Sequence, residues 1–221
     1  METENGAGDV ILAIESAIGK GSIAIFRGEK LLAESSGEAA QAETLLVEIQ
    51  RAAAALDLGL NSIRKIAVSA GPGSFTGLRI GIATALGLSR ALKIPAVGVP
   101  LLEAIAESAE IRGQFFVAVP IGRSDLCFQE FAAASVPLSQ PRALPLADFT
   151  DLASSRSDVS IIVESRLHER LTQSANFSTE IRLRPVTESL AIIIGKAARK
   201  RTADEKIEPI YVQSPRAVKT A

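Results

Sequence analysis

The glycine-rich segment Gly71–Gly77 is the first place where residue types and spacing suggest chemistry. Glycines allow backbone N–H groups to converge on a phosphate at the start of a helix. A P-loop, however, has four residues between its glycines and a Lys-Ser or Lys-Thr pair after the second. Here Leu78 and Arg79 follow Gly77, and the separation of Gly73 from Gly77 is also too long for a dinucleotide-binding motif. We therefore predict no classical nucleotide loop at this segment.

A second candidate lies at the end of the first predicted strand, where Glu15 and Ser16 precede a glycine-containing turn. Glu15 could orient a metal-bound water, or it could simply end the strand. No second acidic motif of this type clearly follows the later strands. We keep Glu15, Ser16, Gly21 and Ser22 as candidates for a nucleotide pocket.

The sequence offers little for hydrolytic or metal chemistry. Its single histidine, His168, lies in the charged stretch Arg166–Arg170, where a solvated helix face is expected, so a serine triad lacks its base. Its single cysteine, Cys127, falls in an apolar strand pattern where packing is expected. One histidine and one cysteine are too few for a zinc or iron site. We expect no catalytic residues and no metal in this chain.

Composition limits the class of protein. Of 221 residues, 47% are hydrophobic and 22% are charged, which is typical of a folded globular protein. A formal net charge of -1 supplies no general attraction for an RNA backbone. A single cysteine excludes a disulfide framework, and no apolar run is long enough to span a membrane. We expect a cytoplasmic protein without membrane association.

Hydrophobic periodicity predicts an ordered first half after a loose leader, residues 1–8. The predicted elements are strands at Val10–Ile14, Ser22–Phe26 and Leu31–Glu34, a helix at Gln41–Leu58, a strand at Ile66–Ser69, a helix at Ser74–Leu92 and a strand at Ala96–Val99. Three strands followed by alternating helices and strands are typical of a ribonuclease-H-like lobe with a mixed sheet.

The second half carries weaker signals. They predict a helix at Leu101–Ser108, strands at Phe115–Val119, Leu126–Phe131 and Val159–Val163, helices at Leu167–Gln173 and Ser189–Arg201, a short strand or extended segment in the tail at Ile207–Val212, and a connection at Pro137–Leu146. The predicted architecture is α/β and actin-like, with mixed sheets flanked by helices in an N-terminal lobe, 9–110, and a degenerate, trimmed C-terminal lobe, 111–221.

The helix predicted at Ser74–Leu92 is unusual because small residues recur every four positions along it. Gly73, Gly77, Gly81 and Ala85 would line one side and permit close backbone approach. The helix is apolar on almost every side, so we expect a second covering element, either another helix of this chain or a partner subunit. The predicted partner interface comprises Gly73, Phe75, Gly77, Leu78, Ile80, Gly81, Thr84, Ala85 and Leu88.

Several segments together resemble the bacterial TsaB (YeaZ) family, and the run from Gly71 to Arg79 (GPGSFTGLR) is the most specific of them. The matching segments are Ile11–Ser16, Gly21–Ile25, Ala70–Gly81, Val97–Val99 and, more weakly, Glu208–Val212. Their order and spacing agree with the family across the predicted N-terminal lobe.

The resemblance implies a non-catalytic subunit for tRNA N6-threonylcarbamoyladenosine modification. Such a subunit pairs with and activates its catalytic paralogue TsaD and works with the ATPase TsaE, so ATP and metal are expected on those partners. TsaD transfers threonylcarbamoyl from its adenylate to the adenosine beside the anticodon. The resemblance also implies a homodimer when the chain is alone, and tRNA contact only through the complex. Nothing in the sequence supports proteolysis, although the family is also named glycoprotease or peptidase M22.

Some residues depart from the family pattern. Ile14-Glu15-Ser16 stands where Ile-Asp-Thr is usual, Gln41 where a histidine is frequent, and Ile121-Gly122-Arg123 where Asp-Ala-Arg is usual. These departures favour a non-catalytic subunit with a vestigial nucleotide pocket. Two alternatives stay open: a sugar-kinase-like or ATP-hydrolysing actin-like enzyme, and a self-contained homodimeric scaffold.

One small basic set is the main candidate for direct RNA contact. Arg199, Lys200 and Arg201 end the last predicted helix, and Arg216 and Lys219 follow in the tail. Cations at the end of a helix also complement its dipole and need no ligand for that. We therefore expect only weak tRNA binding by the chain alone.

Overall fold

A computed structural model describes residues 8–37, 42–156, 159–173, 182–202 and 206–212. In these residues the strands are β1 Val10–Glu15, β2 Ser22–Arg27, β3 Lys30–Ser36, β4 Ile63–Gly71, β5 Ala96–Pro100, β6 Phe115–Ile121, β7 Asp125–Phe131, β8 Arg142–Pro145, β9 Ser160–Val163 and β10 Arg182–Pro185. The α-helices are α1 Ala42–Ala54, α2 Phe75–Leu92, α3 Leu101–Ser108, α4 Leu146–Ser154, α5 Ser165–Thr172 and α6 Leu190–Ala198.

Each lobe is built on a five-stranded mixed sheet, and the two sheets repeat one topology. Their strand orders are β3-β2-β1-β4-β5 and β8-β7-β6-β9-β10. In both lobes the first three strands pair antiparallel in sequence, and the first strand also pairs parallel with the fourth, which pairs parallel with the fifth. The C-terminal lobe is shorter in its strands rather than in their number, since β8, β9 and β10 have 4 residues each.

Strand β1 shows why the N-terminal sheet is covered on both faces. Successive strand side chains point to opposite faces, so an unbroken apolar strand must be covered twice. Leu12 and its neighbours on one face share a core with α1 and α2. Ile11 and Ala13 on the other face share a core with α3 and α6. Helix α6 therefore follows the C-terminal sheet in sequence but packs on the N-terminal sheet.

Three elements were not predicted: β8, α4 and β10. The segment Pro137–Leu146, predicted to be a connection, contains β8. This strand lies at an edge of its sheet and pairs only with β7, a place where its terminal Pro145 is tolerated. Helix α4 follows at once and buries Phe149 and Ala153.

Several predicted boundaries differ from the structure, and the end of the first helix is one of them. Helix α1 ends at Ala54 rather than Leu58, and Asp57 beyond it takes a left-handed conformation with φ of 53°. The tail forms no regular strand, although Ile210 N–H donates to Ala70 O at 2.7 Å beside β4. The leader up to residue 7 and Gln41 lie outside the described residues. No helix in the described ranges has the length and apolar character needed to cross a membrane.

Candidate partner surface and interlobe cleft

The glycine stripe of α2 packs against the chain's own turn between β1 and β2. A Cβ atom on Gly77 would lie 2.1 Å from Ser16 O, and one on Gly81 would lie 2.3 Å from Ser16 Oγ. A Cβ atom on Gly73 would lie 2.6 Å from Ala17 Cβ. The predicted close backbone approach is present, but it is made with this turn. The assignment of the glycines to a partner interface is therefore corrected.

Two hydrogen bonds fix the turn on the start of α2. Ser16 Oγ donates to Gly77 O at 2.8 Å, and Ser74 N–H donates to Ala17 O at 2.8 Å. Ser74 is also the N-cap of the helix, because its Oγ accepts from Gly77 N–H at 3.3 Å. Ser16 thus has a structural role and does not line the interlobe cleft.

The predicted interface residues divide between the two faces of α2. Besides Gly77 and Gly81, Leu78 and Ala85 are buried inside the chain and are not available to a partner. The outward face keeps Phe75, which is 52% exposed, and the half-buried Ile80, Thr84 and Leu88. Exposed Thr76, Ala83 and Gly87 lie on the same helix, and a Cβ atom on Gly87 would meet nothing within 4 Å. The outward face therefore carries small and apolar side chains beside two exposed arginines, Arg79 and Arg90.

Phe75 belongs to an exposed cluster with the tail. Its ring centroid lies 4.9 Å from that of Tyr211, which is 45% exposed. The Arg79 guanidinium lies 3.8 Å from the centre of the Phe75 ring, and Arg79 Nε donates to Tyr211 Oη at 3.4 Å. Sequence reasoning selected Phe75 but missed Arg79 and Tyr211. Both lie in segments that carry the family resemblance, and this resemblance was the one sequence feature that could have pointed to them.

A second exposed apolar pair lies on α1. Leu46 and Val47 are 42% and 40% exposed, while Leu45 and Ile49 on the same helix are buried. Helices α1 and α2 share one core on the same face of the N-terminal sheet, so their outer surfaces lie on the same side of the lobe. Sequence reasoning missed this pair. The consecutive run of Leu45, Leu46 and Val47 holds more apolar residues than one buried helix face needs.

The interlobe cleft has a volume of about 370 Å³. Glu15, Gly21 and Ser22 line it from the N-terminal lobe, so three of the four pocket candidates are brought together. From the C-terminal lobe, Glu164 and Arg166 line the opposite side.

Glu15 is 1% exposed at the base of this cleft. Its Oε1 accepts hydrogen bonds from Ala17 N–H at 2.7 Å and from Ile18 N–H at 3.0 Å. Burial raises the pKa of Glu15 to about 8; the two N–H groups act in the opposite direction, and nearby Glu164 raises the pKa further. Both hydrogen bonds are made to the turn that follows Glu15, as expected of a residue that ends a strand.

The other polar groups of the cleft are also engaged within the chain. Glu164 Oε2 caps α5 by accepting from Arg166 N–H at 3.0 Å and Leu167 N–H at 3.1 Å. Ser22 Oγ accepts from Ala191 N–H at 3.1 Å, near the start of α6. Gly19 has a φ of 61°, a left-handed conformation that favours glycine, and it lies against the end of the Arg166 side chain.

Comparison with known proteins agrees with the sequence motifs. The family model described as "TsaD: tRNA N6-adenosine threonylcarbamoyltransferase" matches residues 37–130. The TsaB biosynthesis protein of Buchnera aphidicola is 35% identical over 103 residues, which are 46% of this chain and 49% of that protein. TsaB of Haemophilus influenzae is 33% identical over 100 residues, covering 45% of this chain and 42% of the relative. The resemblance to the TsaB (YeaZ) family is confirmed.

The match to curated TsaB proteins is partial in sequence and nearly complete in fold. The chain spans about half the length of the curated relatives it matches, at 49% and 42%. YeaZ from Pseudomonas aeruginosa superimposes with a TM-score of 0.67 at 18% identity, over 92% of this chain and 100% of YeaZ. At that identity the likeness concerns the fold, and the predicted actin-like α/β architecture is confirmed.

Two arginines at the basic end of α6 make contacts inside the chain. The Arg199 guanidinium lies 4.9 Å from the centre of the Phe26 ring and donates to Glu29 O at 2.9 Å. Arg201 forms an ion pair with Glu107 at 2.6 Å. Of the predicted basic set, Lys200 alone keeps its side chain free of such contacts within the described residues, and Arg216 and Lys219 lie outside them.

Cys127 and the potential metal ligands were also located in the described part of the chain. Burial raises the pKa of the Cys127 thiol to about 12, so the unreactive thiol is the stable form. In the described part of the chain, no group of three or more His, Cys, Asp or Glu side chains could hold a metal ion.

Proposed function

We propose that this chain is a non-catalytic subunit for tRNA N6-threonylcarbamoyladenosine formation, which pairs with and activates a TsaD-type transferase and works with a TsaE-type ATPase. The proposal rests on two groups of exposed apolar side chains on the same side of the N-terminal lobe, one on α1 and one on α2 with the tail, which we take together as one surface. This surface lies on the lobe that carries the family motifs. The transfer reaction, with its ATP and metal, belongs to the partners.

The docking surface, defined here as Leu46, Val47, Phe75, Ile80, Ala83, Gly87 and Tyr211, has the composition of a protein interface. Clustered exposed apolar side chains mark interaction sites. Tyr and Phe are enriched at interface centres, where Tyr often dominates the binding energy. The small side chains of Ala83 and Gly87 leave room for a partner helix to approach α2 closely. A standard protein–protein interface buries about 1,600 Å² in total, and we expect an interface of that size here.

The same surface supports a homodimer when the transferase is absent, because an apolar helix face is self-complementary across a two-fold axis. The homodimer and the complex with TsaD are then competing states. The tRNA would be held mainly by the complex, since this chain has a net charge of -1 and its Arg201 is already paired.

Co-purification with a TsaD homologue from the same cell tests the proposal. The informative variant is Ala83→Arg, which places a charge on the outward face of α2. Ala147→Arg on α4 is the matched control, because Ala147 is also an exposed alanine in a helix but lies on the other lobe. Loss of the complex with Ala83→Arg alone supports the docking surface. If both variants fold and co-purify with the TsaD homologue equally well, the docking surface is contradicted. ATP turnover by the isolated chain would favour the alternative, an ATP-hydrolysing enzyme.

A further inference from the structure

Two glutamates, one from each lobe, occupy backbone N–H groups beside the interlobe cleft. We infer that Glu15 and Glu164 act as built-in ligands of these groups, so that the cleft excludes phosphates although its backbone is shaped to bind them. The inference concerns only this cleft. It does not depend on the docking surface or on any partner.

The turn after β1 has the backbone geometry of an anion site. Two successive amides, Ala17 N–H and Ile18 N–H, converge on one oxygen atom, Glu15 Oε1, at 2.7 and 3.0 Å. Successive N–H groups that converge in a turn form a concave site for anions. In this chain the oxygen is supplied by the residue that immediately precedes the turn. An incoming phosphate would have to displace a side chain that is 1% exposed.

The start of α5 repeats this arrangement in the other lobe. Two N–H groups of its first turn, those of Arg166 and Leu167, both donate to Glu164 Oε2, at 3.0 and 3.1 Å. A helix N-terminus attracts anions through these N–H groups and the helix dipole. Glu164 satisfies both effects at once, because its carboxylate is an anion and an acceptor.

A third set of donors, at the start of α6, is also partly used. Ala191 N–H donates at 3.1 Å to Oγ of Ser22, the first residue of β2. The cations that line the cleft, Lys20 and Arg166, are accompanied by Glu15, Glu164 and Glu188. A phosphate group would therefore meet filled backbone sites and neighbouring carboxyl groups.

Titration with inorganic pyrophosphate at low salt tests the inference on the folded chain. The double variant Glu15→Ala/Glu164→Ala frees both N–H pairs, whereas Glu15→Gln/Glu164→Gln keeps an oxygen acceptor at each place. We expect the wild type and the double-Gln variant not to saturate at millimolar pyrophosphate. The double-Ala variant should bind at least about tenfold more tightly. The amide resonances of Ala17, Ile18, Arg166 and Leu167 should shift with binding.

Three results would overturn the inference. They are saturation of the wild type with shifts at these amides, a folded double-Ala variant that binds no better than the wild type, and a double-Gln variant that binds as tightly as the double-Ala variant. If the double-Ala variant does not fold, Glu164→Ala alone carries the test, because Glu164 is only half-buried. This single variant should bind pyrophosphate more tightly than the wild type, and unchanged binding would contradict the inference.

Discussion

The buried carboxyl of Glu15 should make the stability of the fold depend on pH, and Glu15→Gln should remove that dependence. Burial raises the pKa of Glu15 from the ordinary 4.5 to about 8 in the folded chain. The folded state therefore holds the proton more tightly than the unfolded state does. The resulting stabilisation is complete below pH 4.5 and is lost as the pH rises through about 8.

The size of the effect follows from the pKa difference. One pKa unit corresponds to about 1.4 kcal/mol, so the difference between 4.5 and about 8 amounts to about 5 kcal/mol in total. About 3 kcal/mol of this is already lost at pH 7, because most of the interval between the two pKa values lies below that pH. A neutral Gln side chain of the same shape keeps an oxygen acceptor and does not titrate.

Urea unfolding of the wild type and Glu15→Gln across the acidic to mildly alkaline range provides the assay. Taking the difference between the two proteins cancels the other titrating groups. We expect similar stability near pH 4, and a growing advantage for the Gln variant above it. The control is Glu29→Gln, an exposed glutamate in the turn between β2 and β3. The reasoning would be refuted if the difference in free energy of unfolding between Glu15→Gln and the wild type stayed constant with pH or was largest in acid.

Three further predictions follow from the packing and the surface. In thermal unfolding, Gly77→Ala should lower the free energy of unfolding by more than about 2 kcal/mol, because its Cβ would lie 2.1 Å from Ser16 O. Gly87→Ala should raise it by up to about 1 kcal/mol, because a Cβ atom there meets nothing within 4 Å. Tyr211→Ala should weaken complex formation with the transferase by about tenfold or more without changing the melting temperature; equal affinity would remove the tail from the docking surface. Titration of the chain alone with tRNA near physiological salt should show only weak binding; submicromolar, salt-sensitive binding that is lost on Lys200→Glu would contradict the partner-only role.

The N-terminal lobe could be predicted from the sequence because its strands are long and apolar and its helices have regular periodicity. Strand β10 and edge strand β8 have only 4 residues each, too few for a periodic signal. The predicted connection Pro137–Leu146 was wrong for this reason. Pro145, which argued against a strand, stands at the end of one where no ladder hydrogen bond is required of it.

The candidate sites were predicted only in part, and for a different reason. Spacing showed that Gly77 and Gly81 permit close backbone approach, but it does not show which segment approaches. That segment proved to be the turn at Ser16, which is distant in sequence. Spacing likewise does not show that Glu15 turns back on its own backbone or that Tyr211 reaches Phe75. These contacts depend on tertiary packing.

Reconstitution of threonylcarbamoyladenosine formation on tRNA tests the central claim most directly. The reaction would contain the TsaD and TsaE homologues of the same cell, with and without this chain, and with the Ala83→Arg and Ala147→Arg variants. The account predicts that this chain alone forms no product, and that the partners need the wild type or Ala147→Arg for full activity. Ala83→Arg should fail to restore it. Product formation by this chain alone, or equal activity of the partners without it, would contradict the claim.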